Sequence, residues 1–186
     1  MFTITDLSPD DEPRIAQTAE LLVAAFQRWP GTYVDLESAL DDVRESFGDG
    51  RISRVALDPD GVVIGWVGGI SEYDGNAWEL HPLAIRPDWQ RRGVGRALVT
   101  DLEAQVLQHG GVTVYLGSDD EDGWTSLGNT DLYPNVWEHI ARIENFNDHP
   151  YAFYLSCGYA IVGVIPDANG PGKPDILMAK RVARWS

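Results

Sequence analysis

Apolar and polar positions alternate weakly from Phe2 to Leu7, which predicts an edge strand. Ile15, Ala19, Leu22, Val23 and Phe26 then recur at helical spacing, so Asp10 to Trp29 predicts a helix that Pro30-Gly31 stops. Leu36 to Phe47 predicts a second, acidic helix. Two apolar runs, Arg54 to Leu57 and Val62 to Ile70, flank Asp58-Pro59-Asp60-Gly61, the pattern of a hairpin. Trp78 to Ile85 reads as a strand, Gly93 to His109 as a helix and Val112 to Gly117 as a strand. Tyr151 to Cys157 reads as a short helix closed by a left-handed Gly158, and Tyr159 to Ile165 and Asp175 to Lys180 complete the strands. Helices and strands alternate after the hairpin, which predicts an α/β sheet of mixed direction. No repeat or Pro/Gly/Ser linker divides the 186 residues, so 1–186 reads as one domain.

One stretch departs from this rhythm. Residues 118–148 open with Ser118-Asp119-Asp120-Glu121-Asp122-Gly123 and carry Trp124, Leu132, Tyr133, Val136, Trp137 and Ile140, partly at helical spacing. Connections have a median of about 4–6 residues, so this segment is an insertion, and its aromatics favour a functional one. From Gly117 to Pro150 there are eight acids and one base, Arg142, a local net charge of −7.

Composition sharpens that observation. Fourteen Lys+Arg against 29 Asp+Glu give a formal charge of −15, which argues against general nucleic-acid binding and against an anionic membrane partner. Seven Trp and 44% hydrophobic residues argue against disorder. The clustered acid favours a cationic partner. The longest apolar run, Gly61 to Ile70, is far short of the ~18 residues of a membrane span. Met1-Phe2-Thr3-Ile4-Thr5-Asp6 has no signal-peptide pattern, and Cys157 is the single cysteine, so a reduced, cytoplasmic protein is expected. Four histidines without close spacing make no zinc site, and no metal is expected.

Basic charge is clustered too. Arg86, Arg91, Arg92 and Arg96 place four of the fourteen bases in eleven residues. Gln90-Arg91-Arg92-Gly93-Val94-Gly95-Arg96 follows a strand and opens a helix, where backbone N–H groups and the helix dipole face an anion. No Gly-Lys-Ser/Thr follows, so it is not a Walker loop, and the third glycine of a dinucleotide fingerprint is missing. Phosphate binding is the reading.

Leu83-Ala84-Ile85-Arg86-Pro87-Asp88-Trp89-Gln90-Arg91-Arg92-Gly93-Val94-Gly95 resembles the acetyl-CoA motif of the GNAT N-acetyltransferase superfamily, and Phe153-Tyr154-Leu155-Ser156-Cys157-Gly158-Tyr159 resembles its later helix–glycine–aromatic segment. Trp78-Glu79-Leu80-His81-Pro82-Leu83, Tyr115-Leu116-Gly117-Ser118-Asp119-Asp120, Thr130-Asp131-Leu132-Tyr133, His149-Pro150-Tyr151, Pro166-Asp167-Ala168-Asn169-Gly170 and Lys173-Pro174-Asp175-Ile176 resemble one group within it, the aminoglycoside 6′-N-acetyltransferases. The agreement runs from about Trp29-Pro30 to Lys180. Gly123-Trp124 and Gly128-Asn129 fall where acceptor loops of the group vary.

The resemblance implies an α+β domain with a mixed, mostly antiparallel sheet, splayed central parallel strands and flanking helices. It implies acetyl-CoA at the splay, held by backbone groups of Leu83, Ala84 and Ile85, by Gln90, Arg91, Arg92, Gly93, Val94, Gly95 and Arg96 at the pyrophosphate, and by Asn147. The expected reaction is acetylation of the 6′-amine of an aminoglycoside by direct attack, conferring antibiotic resistance.

An alkyl ammonium must lose a proton before it attacks a thioester, and Glu79 is placed to accept it, directly or through water. Glu79 and His81 stand two apart on a strand and so share a face, which permits a relay. Tyr154 matches the tyrosine that the superfamily sets near the CoA sulfur, and helical spacing puts Tyr151 on its face. Trp29, Tyr73, Glu79, Asp119, Asp120, Glu138 and Asp175 are the acceptor-side residues the resemblance implies, since carboxylates and an aromatic suit a polycationic sugar. Cys157 reads as a small buried residue. A homodimer is expected from the group. Two alternatives remain: another amine acceptor, such as a polyamine or peptide, or a non-catalytic protein that binds acetyl-CoA or a polycation.

Overall fold

A computed structural model describes residues 1–26 and 35–184. They fall into two compact units, the first within 1–112 together with 182–184 and the second Thr113–Arg181. In the first unit the strands β1 (Thr3–Asp6), β2 (Arg51–Leu57), β3 (Val63–Glu72) and β4 (Ala77–Ile85) pair antiparallel in that order. The helices α1 (Glu12–Phe26), α2 (Leu36–Glu45) and α3 (Val94–Gln108) pack on them.

Local chemistry explains where these elements begin and end. Helix α1 starts at Glu12 instead of Asp10 because Asp11 is its cap, its carboxylate accepting the Arg14 N–H at 3.2 Å. The end expected at Trp29 lies outside the described residues. Asp35 caps α2 through the Ser38 N–H at 2.9 Å. That helix stops at Glu45, two residues early, because the Ser46 and Phe47 N–H groups tighten onto Val43 and Arg44. Strand β2 begins three residues earlier than the apolar run suggested, because Arg51, Ile52 and Ser53 pair with Ile70, Gly69 and Gly68. The hairpin turn is as expected: Asp58 accepts the Asp60 and Val62 N–H groups at 3.0 and 2.9 Å.

Ile15, Leu21 and Leu22 of α1 and Ala39 and Val43 of α2 close over Val55, Trp66 and Ala84 to make the core on one face of this sheet. Leu98, Leu102 and Val106 bury the inward stripe of α3. Arg54, on the sheet and 9% exposed, ties α3 down by donating to Asp101 at 2.6 and 3.1 Å, and it also pairs with Asp6. Burying the guanidinium is tolerable only because both carboxylates meet it.

The second unit carries β5 (Thr113–Asp119), β6 (Ala160–Ile165) and β7 (Asp175–Arg181), with β7 antiparallel between the other two. Helices α4 (Val136–Ala141) and α5 (Tyr151–Ser156) are short. Gly158 follows α5 in a left-handed conformation, φ 90°, as expected. The insertion folds back on itself. Thr125 bridges to Asn145, the Phe146 N–H donates to the Trp124 carbonyl at 2.8 Å, and the Glu144 N–H donates to the Ser126 hydroxyl at 3.0 Å. Leu127 and Leu132 are its buried anchors, whereas Tyr133 and Trp137 stand 68% and 71% exposed. The aromatics of this segment therefore face outward more than its periodicity implied.

Candidate active site

In the first unit β4 ends the strand order, so only its β3-facing edge is paired there. Leu83, Ala84 and Ile85 lie opposite Val67, Trp66 and Gly65, whereas Leu80 lies opposite Gly69. Three steps along β4 thus match two along β3, which is a bulge at His81-Pro82. Proline has no N–H to give the ladder, and such a residue sits most easily at a bulge. Gly68 faces it, where any Cβ would overlap the His81 carbonyl. The bulge interrupts the two-residue alternation. Glu79, opposite Ile70, is half-buried, and His81 is exposed within the irregularity, so strand parity does not secure the shared face expected for the two. Among the described residues neither side chain makes a hydrogen bond or ion pair.

After β4 the chain turns through Pro87–Trp89. Gln90 folds back, its amide donating to the Ile85 carbonyl at 3.2 Å, so it fastens the loop to the strand. Arg92 lies over the Trp89 ring at 5.3 Å. Arg86 is committed to Asp88 through two bonds of 2.7 and 2.6 Å, which holds the Asp88 carboxyl below its usual range. Gly93, φ 85°, takes the left-handed turn into α3. No side chain caps that helix and no acid stands in its first turn. Its positive dipole end is therefore left for an anion, with Arg91, Arg92 and Arg96 around it.

Between β3 and β4 the sequence suggested no element, yet Tyr73, Asp74 and Gly75 are all left-handed, at φ 51°, 56° and 83°. Two consecutive non-glycine residues in that region are strained and need holding. Asn76 holds them, its backbone and side-chain N–H groups both donating to the Tyr73 carbonyl at 3.1 and 2.9 Å. The Trp78 indole N–H donates to Gly75 at 3.1 Å. Tyr73 is thereby displayed at 74% exposure. Trp29 lies outside the described residues.

The second unit holds the remaining expected residues. Asp119 and Asp175 face each other across β5 and β7. The Asp175 carboxylate occupies the space that a Cβ on Gly117 would fill. Asp119 is exposed, and the Asn169 amide donates to its Oδ1 at 2.5 Å. Asp120 is different. It is 1% exposed, and its oxygens accept the Trp124 N–H at 2.7 Å, the Thr125 N–H at 2.9 Å and the Thr125 hydroxyl at 2.7 Å. It organises the loop and leaves its neighbour to face outward. Glu138 is exposed on α4 and paired with Arg142 at 3.1 Å. Asn147 is exposed, and Asn145 closes its loop by bonding both backbone groups of His149, at 3.1 and 2.8 Å.

Tyr154 packs edge-on against Phe153 and Tyr159, at 5.1 and 5.8 Å between ring centres. Burial pushes its hydroxyl well above the usual phenol range, and the neighbouring Cys157 adds to it. It is thus a hydroxyl that keeps its proton. Tyr151, on the same helix, is buried against His149 at 5.7 Å. Asn76, Asn145, His149 and Asn169 do not stand out as site residues in the sequence. The blocks His149-Pro150-Tyr151 and Pro166-Asp167-Ala168-Asn169-Gly170 were the available signal for two of them.

Among the described residues no group of His, Cys, Asp and Glu could hold a metal, and no helix is long and apolar enough to cross a membrane. Residues 15–124 match the acetyltransferase (GNAT) family. No curated protein matches the sequence. Among solved structures, an aminoglycoside 6′-N-acetyltransferase complexed with coenzyme A is 38% identical, covers 99% of each chain and superposes with a TM-score of 0.92. The aminoglycoside 6′-N-acetyltransferase from Enterococcus faecium is 39% identical over 99% of each chain, with a TM-score of 0.90. An aminoglycoside 6′-acetyltransferase type Ii is 31% identical with the same coverage and a TM-score of 0.75. With an uncapped, base-flanked helix start behind β4 and relatives of this identity along its whole length, the chain belongs to the GNAT acetyltransferases, beside the aminoglycoside 6′-N-acetyltransferases.

Proposed function

We propose that this enzyme transfers acetyl from acetyl-CoA to the 6′-amine of an aminoglycoside by direct attack. The observation that carries the reading is the identity of 38–39% over 99% of the chain to two enzymes of that description, one of them with coenzyme A bound. The donor fits this chain's own geometry, because the N-terminus of α3 is uncapped, Gly93 is left-handed and arginines flank it. Acetyl-CoA, when bound, supplies an activated acyl group as a thioester. Gln90, Arg91, Arg92, Gly93, Val94, Gly95 and Arg96 hold its diphosphate, and the backbone of Leu83, Ala84 and Ile85, with Asn147, holds the arm.

Glu79 accepts the proton that the ammonium must lose, a role that its lack of a side-chain partner among the described residues leaves open. His81, exposed two residues along β4, is the second group for that proton, as a relay. Tyr154 keeps its proton and donates a hydrogen bond to the departing thiolate, which takes up the proton that the attacking amine releases. Asp119, Asp175 and Glu138 are the carboxylates for the ammonium groups of the acceptor, and Tyr73 and Trp29 the aromatics for its rings. Asp120 acts through the loop it orders. Acetylation removes one positive charge and adds bulk, which weakens the drug's hold on ribosomal RNA and gives resistance. The reading extends to a single catalytic domain over 1–186 and a homodimer, testable by light scattering, in a reduced cytoplasm that one thiol, Cys157, suits.

The test is thiol release from acetyl-CoA with kanamycin or tobramycin against their 6′-hydroxyl counterparts. Release with the amines and none with the hydroxyl analogues is expected. A preference for spermidine over kanamycin would assign the chemistry to another amine, and binding without turnover would make the protein a sensor.

A further inference from the structure

His149 is 2% exposed and satisfied on both ring nitrogens. Nε2 lies 2.9 Å from the backbone oxygen of Asp119, the last residue of β5. Nδ1 lies 3.3 Å from the backbone nitrogen of Tyr151, the first residue of α5. A carbonyl only accepts and an amide N–H only donates, so Nε2 carries the proton and Nδ1 keeps its lone pair. The ring is therefore neutral and in one tautomer. Asn145 fixes its backbone from the other side through both the N–H and the carbonyl.

One imidazole thus joins the strand end that carries Asp119 to the helix that carries Tyr154. Asn169 holds the Asp119 carboxylate while His149 holds its backbone, so the acid is fixed at two points. The charged groups facing the ring are Asp119 at the end of β5 and Asp120 just beyond it, which favour its protonation, and the titratable group from α5 is the Tyr151 phenol. Burial outweighs the hydrogen bond to the Asp119 backbone and the two acids together, and it holds the imidazole pKa below its ordinary value. A second proton would set an N–H at Nδ1 against the Tyr151 N–H, two donors facing each other, and the clamp would open.

We propose that His149 is a positioning residue for the acceptor, a neutral clamp that sets the Asp119 carboxylate at a fixed offset from the head of α5. The proposal rests on the acetyl-transfer reading and deepens it: the loss of acceptor affinity in acid comes from this ring, beyond whatever the acceptor amines and Glu79 contribute.

The test uses the full chain and the KM values for kanamycin and acetyl-CoA, measured from neutral pH down to about pH 5.5. His149→Phe should raise the kanamycin KM roughly tenfold, the worth of a lost buried hydrogen bond, and leave the acetyl-CoA KM unchanged. His149→Gln keeps a donor for the Asp119 carbonyl and cannot titrate. It should restore most of the kanamycin KM and keep it flatter in acid than the wild type does. Equal KM values in His149→Phe and wild type, or the same acid dependence in His149→Gln and wild type, would overturn the proposal. Should either variant fail to fold, nitrogen-15 spectra of the wild-type imidazole decide. Nε2–H with a depressed titration supports the clamp, and Nδ1–H or an ordinary histidine titration overturns it. A wild type that binds acetyl-CoA but acetylates no aminoglycoside overturns the acetyl-transfer reading instead, and the spectra still report on the ring.

Discussion

The two units bury their strands in different ways. In the first, β2 and β3 are buried almost from end to end, because α1 and α2 cover one face and α3 the other. In the second, β5 and β7 alternate buried and open positions, and β6 is open along most of its length. In the first unit apolar packing dominates and side-chain hydrogen bonds to backbone serve caps and turns, whereas in the second such bonds also hold the long insertion. Asp120 and Asn145 spend their polar atoms on loops, as does Asp167, which accepts the Gly172 N–H at 2.6 Å, and His149 spends its ring nitrogens on a strand end and a helix start. An acidic residue in this half is therefore not a substrate contact by default. Its partners decide.

The contrast can be broken most severely on β4. Glu79 is a polar side chain in the apolar unit with no bond of its own among the described residues, so Glu79→Gln should lower kcat roughly hundredfold or more with no change in melting temperature. The loss should be steepest in acid, where the acceptor stays protonated, and steady-state thiol release with a thermal melt checks both. Next is Gly68→Ala, whose methyl group has no room at the His81 carbonyl. It should cost about 3 kcal/mol in denaturant unfolding, the upper range for overpacking.

Asp120→Ala leaves three donors of a buried loop unanswered and should cost about 2 kcal/mol, whereas Asp119→Ala should leave the melt alone and raise the acceptor KM several-fold, roughly the worth of one exposed contact. Equal effects from these neighbours would erase the distinction between tether and contact. The smallest effect is in pH. His149 has its folded pKa held below the ordinary 6.5, so its stabilising contribution is whole above that pH and is lost as pH falls through the folded value. The denaturation midpoint of wild type should drop faster with acid than that of His149→Gln.

Strand and helix periodicities were legible wherever apolar spacing alone sets the element, as in α1, β3 and α3. Boundaries were less so, because caps at Asp11 and Ser46 act through single hydrogen bonds that spacing does not encode. The glycine turn into α3 was legible because charge, glycine and position coincide in seven residues. Asp120 and Asp119 were not separable, since neighbours with the same side chain differ only in which way the chain turns after β5. The bulge at His81-Pro82 was hidden for a related reason. A register change belongs to two strands at once, and one strand's alternation cannot report it. The left-handed display of Tyr73 depended on Asn76 and Trp78, whose parts in it only the folded turn reveals.

Of the eight acids between Gly117 and Pro150, only Asp120 is buried; the other seven face solvent. Their combined field reaches about 8–10 Å at ordinary salt, beyond any single contact. A polycation is thus drawn in before it is oriented, and encounter rates should fall as ionic strength rises. The same field acts on departure. A product that has lost one positive charge is held less firmly than the substrate it came from, so a surface that speeds capture also biases the traffic outward after each turnover.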